Sequence, residues 1–298
     1  MRLLRLKKVL AATDLDPSSD SAVESAMRLA DAAGAELHIA YVSPDSGRNG
    51  DPAASSEAAP AMLGFRERLG LTGGRHRVHV RSGDPASTLS QLGDEIGADV
   101  IVIGRHRQRD ARRSDDSLGS TAYDVITRTL APCLVISRSL QVPIRRALVA
   151  VDTSETARGA LLVALSWSSA LRDSRPDSAG TTLTALHVES GKPLSPLDAQ
   201  RKRTVDHELD VLQRGAGSWA GVSVRTAAET SEDVISAIVR FANKEKTELI
   251  VLGTRGLSAQ QLSGLGSVSS AVTNQLSVPV LLVPPAVWRN HAHDIDYL

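Results

Sequence analysis

Gly253, Gly256 and Gly266 are separated by two and by nine intervening residues, and Ser267 follows the last of them directly. The group comes straight after the apolar run 249–252 and leads into helix-compatible sequence. A glycine-rich turn between a buried parallel strand and a helix start gathers backbone N–H groups and a positive helix end at one place. That is chemistry suited to phosphate. Glycine there lets the chain take positive φ and lets the backbone approach a ligand closely. Thr254, Ser267, Val268 and Ser269 complete the expected phosphate contacts, and Arg255 either adds a cationic donor or faces solvent. The competing reading is a glycine-rich turn with no ligand. A P-loop is excluded, because no G-x4-G-K-[ST] occurs. The dinucleotide fingerprint G-x-G-x-x-G is excluded too, since its glycines would follow the first strand of a βαβ unit.

Asp152 ends the apolar run that opens the second half of the chain. Open α/β sheets bind ligands at the carboxyl ends of their strands. A carboxylate there can accept from a ribose hydroxyl or an adenine amine; alternatively it starts the next helix as a turn or capping residue, with Thr153 and Ser154 nearby. His187 and Val188 end the following apolar run, and His187 is either an acid–base group or structural. The tail carries His291, His293, Asp294 and Asp296, residue types that ligate metals, at a spacing that matches no strong metal motif. No nucleophile–base–orienter set occurs, so no catalytic residue is expected.

Positioning these residues requires a repeated framework. Residues 7–42 match 145–165 together with 182–189: each copy has two basic residues, an apolar strand, a strand-end Asp (Asp14 and Asp152) and an alanine-rich helix. Later, 97–104 and 247–253 each end on a glycine, and 131–137 and 278–284 each form a proline-led strand. Apolar strands alternating with helical patterns argue for a parallel sheet covered by helices, about five short apolar strands per half. The expected layout is one domain over residues 1–138, a junction at 139–144, a second domain over 145–285 and a tail at 286–298. So short a junction predicts that the halves pack together. Segments 43–61 and 171–180 read as loops.

The spacing G-x2-G-x9-G-S resembles the ATP-binding signature of the universal stress protein family, and the resemblance covers nearly the whole chain as two such domains in tandem. It implies doubly wound α/β domains of the adenine nucleotide alpha hydrolase-like kind. It also implies that Asp152 contacts the nucleoside, that Val188 lines the adenine slot, and that Gly253, Thr254, Gly256, Gly266, Ser267, Val268 and Ser269 hold the phosphates. By the same resemblance the ligand is ATP with Mg or Mn on the phosphates. The protein is then a cytoplasmic stress-response regulator, homodimeric, with a regulatory partner that the sequence does not identify. A slow ATPase and a nucleotide-independent dimerisation or partner-binding scaffold are the alternatives.

The N-terminal half departs from the pattern. Asp14 and Gly104 match, but Arg107 stands where the second glycine belongs, and Gly119 and Ser120 arrive two residues late. The segment 105–113 holds five arginines, which read as a solvated loop or as an anion or partner site. The C-terminal half is therefore expected to hold the nucleotide.

Composition narrows the partners. The chain balances 34 basic against 34 acidic residues, which argues against a nucleic-acid binder, and aromatics at 3% are too few for a base-stacking surface. Cys133, the single cysteine, lies in an apolar strand and reads as a buried small hydrophobe. No apolar run approaches the roughly 20 residues of a membrane helix. Asp14 interrupts the N-terminal apolar stretch, which argues against a signal peptide.

Overall fold

The computed structural model describes residues 4–43, 52–71, 76–105, 118–152, 154–172, 180–189, 199–200, 203–207, 210–211, 222–256 and 264–291, with the backbone alone over 52–58. It divides into two units, Leu6–Leu140 and Gln141–Leu298, the second joined by Met1–Arg5. The Leu4 N–H donates to Ser166 Oγ of the second unit at 3.0 Å.

The N-terminal unit carries β1 (Lys8–Thr13), β2 (Glu36–Ser43), β3 (His76–Ser82), β4 (Val100–Gly104) and β5 (Cys133–Ile136), in the spatial order β3-β2-β1-β4-β5. All of its pairings are parallel. Helices α1 (Asp20–Ala33), α2 (Pro52–Arg68), α3 (Pro85–Ile96) and α4 (Ser120–Arg128) make the crossovers. The C-terminal unit repeats the plan with β6 (Arg146–Ala150), β7 (Thr181–Glu189), β8 (Val222–Thr230), β9 (Leu249–Gly253) and β10 (Val280–Val283), in the order β10-β9-β6-β7-β8, again parallel throughout. Its helices include α5 (Glu155–Ala170), α6 (Val234–Lys244), α7 (Ser267–Gln275) and α8 (Pro285–His291), and residues 203–207 are helical as well. The expected doubly wound α/β class, helices on both faces of a parallel sheet, is what the chain forms.

Burial explains why the central strands read so clearly. Val100, Ile101 and Val102 are fully buried, as are Ile250 and Val251, because helices cover both faces of a parallel sheet. Cys133 is buried in β5, and burial pushes its thiol pKa up, as expected of a small hydrophobe. The outer strands differ from the expected apolar runs. β8 alternates buried Val222 and Val224 with exposed Ser223 and Arg225, and β3 is largely polar, since an edge strand keeps one side near water.

The expected loop over 43–61 is also corrected. Residues 52–61 belong to α2, which starts on Pro52 and runs through Pro60. Proline suits the first turn of a helix, and the alanines after it have high helix propensity.

In each unit the chain winds outward in one direction over β1-β2-β3 and then crosses to β4-β5 on the other side. The reversal falls between β1 and β4, and between β6 and β9, which pair through Ala147↔Leu249 and Val149↔Val251. Open α/β sheets bind ligands at that crevice, and Asp152 and Gly253 follow or end the two strands that form it.

Candidate functional site

In the C-terminal unit the turn after β6 is fixed by its own side chains. Asp152 Oδ1 accepts from the Ser154 N–H at 2.8 Å. Ser154 caps α5 by accepting from the Ala157 N–H at 3.2 Å. Asp152 therefore does serve the turn, as its alternative reading required. Its second oxygen lies toward the glycine loop: a Cβ built on Gly256 would sit 3.1 Å from Asp152 Oδ2. A ligand passing over Gly256 meets that carboxylate edge.

Thr156, in the first turn of α5, ties this turn to the loop after β9. Its hydroxyl lies 3.1 Å from Ser154 Oγ and donates to the Arg255 carbonyl. A Cβ on Gly253 would stand 2.5 Å from Thr156 Oγ1 and 2.9 Å from its backbone carbon, so only glycine fits. The loop then closes on itself. The Thr254 N–H donates to the Val283 carbonyl at 2.9 Å, and the Gly266 N–H donates to the Thr254 carbonyl at 2.8 Å. Arg255 Nε donates to the Gly264 carbonyl at 3.1 Å, and Ser269 Oγ to the Gly253 carbonyl at 2.6 Å.

These contacts correct the conformational reason for the glycines. Gly253, Gly256 and Gly266 are not among the residues at positive φ, whereas Gly264, in the nine-residue spacer, has φ +107°. At Gly253 glycine is required by space, and at Gly266 a Cβ would be tight, 3.2 Å from the Thr254 carbonyl oxygen. Thr254 and Ser269 are buried, and the Ser269 hydroxyl is engaged inside the loop. The N–H groups of Ser267, Val268 and Ser269 have no acceptor within a helix, and the side chain of Ser267 is exposed. Donors for an anion thus stand near a carboxylate able to read hydroxyl or amine groups.

Val188 lies half-buried at the end of β7, in register with Glu229. His187 Nδ1 lies 3.0 Å from the Val151 carbonyl, so its N–H tethers β7 to the turn that carries Asp152. That bond favours the structural reading of His187. Outside the motif, α8 braces α5: Arg289 Nε lies 3.2 Å from Glu155 Oε2, and the Arg158 guanidinium lies over the Trp288 ring at 5.7 Å.

Among the described residues the N-terminal unit keeps the frame and shows no counterpart of the Thr156 contact. Asp14 Oδ1 accepts from the Asp16 N–H at 3.0 Å, as Asp152 does from Ser154. Gly119 precedes α4 at φ −61°, ψ 152°, against −62°, 150° for Gly266 before α7. The Arg105 N–H donates to the Ile136 carbonyl at 2.8 Å, matching Thr254 and Val283. Yet among the described residues a Cβ on Gly104 would meet only the Ala22 methyl, at 3.9 Å. Arg68 of α2 instead reaches the turn after β1, donating to the Leu15 carbonyl at 3.0 Å and to Asp20 Oδ1 at 2.9 Å. Residues 106–117, with four of the five loop arginines, and the tail residues His293, Asp294 and Asp296 lie outside the described residues. Among the described residues no group of three or more His, Cys, Asp or Glu side chains could hold a metal.

Thr156 is the residue that sequence reasoning missed. Its only local signal is a polar position just inside a helix start, which reads as capping. Thr156→Val keeps the shape and removes the bond to Arg255. We expect a stability loss of about 1 kcal/mol for that hydrogen bond, read by urea unfolding, together with weaker nucleotide binding. An unchanged midpoint would show that the bond contributes nothing.

A model described as the universal stress protein family matches residues 5–137 and again 143–284. Universal stress protein G of Shigella flexneri is 31% identical over 129 residues, covering 40% of this chain and 88% of that protein. A universal stress protein of Methanocaldococcus jannaschii is 40% identical over 76 residues, covering 25% of this chain and 43% of that protein. Among solved structures, a universal stress protein from Archaeoglobus fulgidus superposes with a TM-score of 0.67 at 21% identity, covering 95% of this chain and 97% of that one. That likeness establishes the fold. Among the described residues no helix is long and apolar enough to cross a membrane.

Proposed function

The chain belongs to the universal stress protein family, with two copies of the family's domain in tandem, and on that premise we propose that it is a regulatory module that binds one ATP in its C-terminal unit. The observation that carries this reading is the lock between Thr156 and the glycine loop, beside the Asp152 carboxylate. Beyond it, the N–H groups of the first turn of α7 have no acceptor within the helix, and Ser267 is exposed. Phosphates suit those donors, with Mg or Mn offsetting their charge, and Asp152 and Val188 would flank the nucleoside. Asp14, Gly104, Gly119 and Ser120 form the corresponding frame of the other unit, and we assign them no nucleotide. A cytoplasmic homodimer that signals through a protein partner completes the proposal.

The site holds rather than cleaves in this reading. Among the described residues of the C-terminal unit, His187 is tied to Val151, and no carboxylate–histidine ion pair stands beside the glycine loop to activate water. Acid extraction of the purified protein followed by chromatography tests occupancy. Recovered ATP supports the reading, recovered ADP supports the slow ATPase, and an empty protein that also fails to bind added ATP supports the scaffold. With excess Mg-ATP, phosphate release is expected to be far slower than the enzymatic median of about 10 per second. Turnover near that rate would overturn the holding role.

A further inference from the structure

Two histidines that nucleotide binding does not use meet across the edge of the N-terminal sheet. His38 lies in β2 and His79 in β3, the outermost strand of that unit. His38 Nδ1 and His79 Nε2 are 2.9 Å apart, with ring planes within 9° and centroids 5.1 Å apart. Near-parallel rings with facing nitrogens that close lie edge to edge, so one N–H points at the other ring's lone pair. His38 is only 3% exposed, and its remaining nitrogen, Nε2, is buried without a hydrogen-bond partner among the described residues. The acceptor beside it, Glu36 Oε1, stands off at 3.6 Å and is held by Arg77 Nε at 2.6 Å.

Proton counting makes this arrangement conditional. In the neutral pair one ring donates and the other accepts. With both rings protonated every ring nitrogen carries a hydrogen, so two N–H groups and two charges oppose each other across 2.9 Å. The surroundings are mixed. Lys8 of β1 and Arg77 and Arg81 of β3 disfavour added charge, while Glu36 of β2 and Glu95 of α3 favour it. Burial is the largest influence on both rings and lowers both pKa values below the ordinary 6.5. The unfolded chain therefore binds these protons first. Stability from the pair is fully present above pH 6.5 and is lost as pH falls from there through the folded values.

We propose that the His38–His79 pair is an acid-sensitive latch: neutral, it holds the edge strand β3 onto β2, and protonated, it releases that strand. β3 is the natural element to yield, because within its unit it pairs with β2 alone. The N-terminal unit thereby gains a role of its own as a sensor of acidification.

Hydrogen exchange on the full-length chain at pH 7.5 and pH 5.5, corrected for the intrinsic rate, tests the latch. Protection over His76–Ser82 is expected to fall about tenfold or more on acidification, since each unit of delayed proton uptake is a tenfold change in the opening equilibrium. Protection over β9 and β10 should hold. His79→Gln cannot take up the proton and should flatten the response. Equal protection of β3 at both pH values, or an undiminished loss in His79→Gln, would overturn the proposal. If that variant does not fold, ring resonances of the wild-type histidines decide instead. Coupled titration with the second proton arriving well below pH 6.5 supports the latch, and two independent titrations near 6.5 refute it.

Discussion

Gly253→Ala is expected to destabilise the C-terminal unit by about 1–3 kcal/mol, the usual consequence of forcing a methyl group into packed structure, and to abolish nucleotide binding. The added carbon would stand 2.5 Å from Thr156 Oγ1, 2.7 Å from its Cβ and 2.9 Å from its backbone carbon. A rotamer change can move the hydroxyl, but the backbone carbon moves only if the start of α5 moves. That shift would break the bond from Thr156 to the Arg255 carbonyl and displace the turn carrying Asp152. All three tryptophans, Trp167, Trp219 and Trp288, lie in this half of the chain. Urea unfolding followed by tryptophan emission therefore reads this unit selectively.

Gly104→Ala is the matched control. Among the described residues its methyl would meet only Ala22, at 3.9 Å, and Gly104 is not at positive φ. Such a replacement is expected to be neutral or stabilising by about 0.4–1 kcal/mol, through reduced freedom of the unfolded chain. A wild-type midpoint for Gly253→Ala, or a large loss for Gly104→Ala measured by circular dichroism, would overturn the asymmetry between the two units.

The frame was legible because it is written in features that local sequence carries. Apolar runs such as 100–103 and 249–252 are continuous because both faces of a central parallel strand are covered. Asp14 and Asp152 could be placed from the repeat alone, and both accept from the N–H two residues on. The purpose of the glycines was misread. Spacing shows where glycine stands but not whether torsion or crowding demands it, and at Gly253 the crowding comes from Thr156, 97 positions earlier in the chain. Contacts of that range leave no periodic trace. The His38–His79 pair was hidden for the same reason, since register between β2 and β3 decides that they meet. Helix α2 was obscured by its prolines, which read as loop although Pro52 suits a helix start.

Asp152→Ala is expected to weaken ATP binding by about 10-fold to 150-fold, the equivalent of a charged hydrogen bond of roughly 1.5–3 kcal/mol. The same change at Asp14 should alter affinity little. Both carboxylates support a turn, so loss of the turn alone would affect the two units alike. What separates them is the neighbour of the second oxygen. Asp152 Oδ2 lies against Gly256 at the mouth of a locked loop, while the corresponding position in the N-terminal half is Arg107. Asp152→Asn isolates the ligand contact, because the amide oxygen can still accept from Ser154 while the charge is gone. Calorimetric titration of the wild type and the three variants with Mg-ATP should give one site per chain. Asp152→Ala should be weakest, Asp152→Asn should fall between it and the wild type, and Asp14→Ala should match the wild type. Two equivalent sites per chain would overturn the C-terminal assignment, as would a large loss from Asp14→Ala with none from Asp152→Ala. If Asp152→Asn binds as tightly as the wild type, the carboxylate serves the turn and its charge reads no part of the nucleotide.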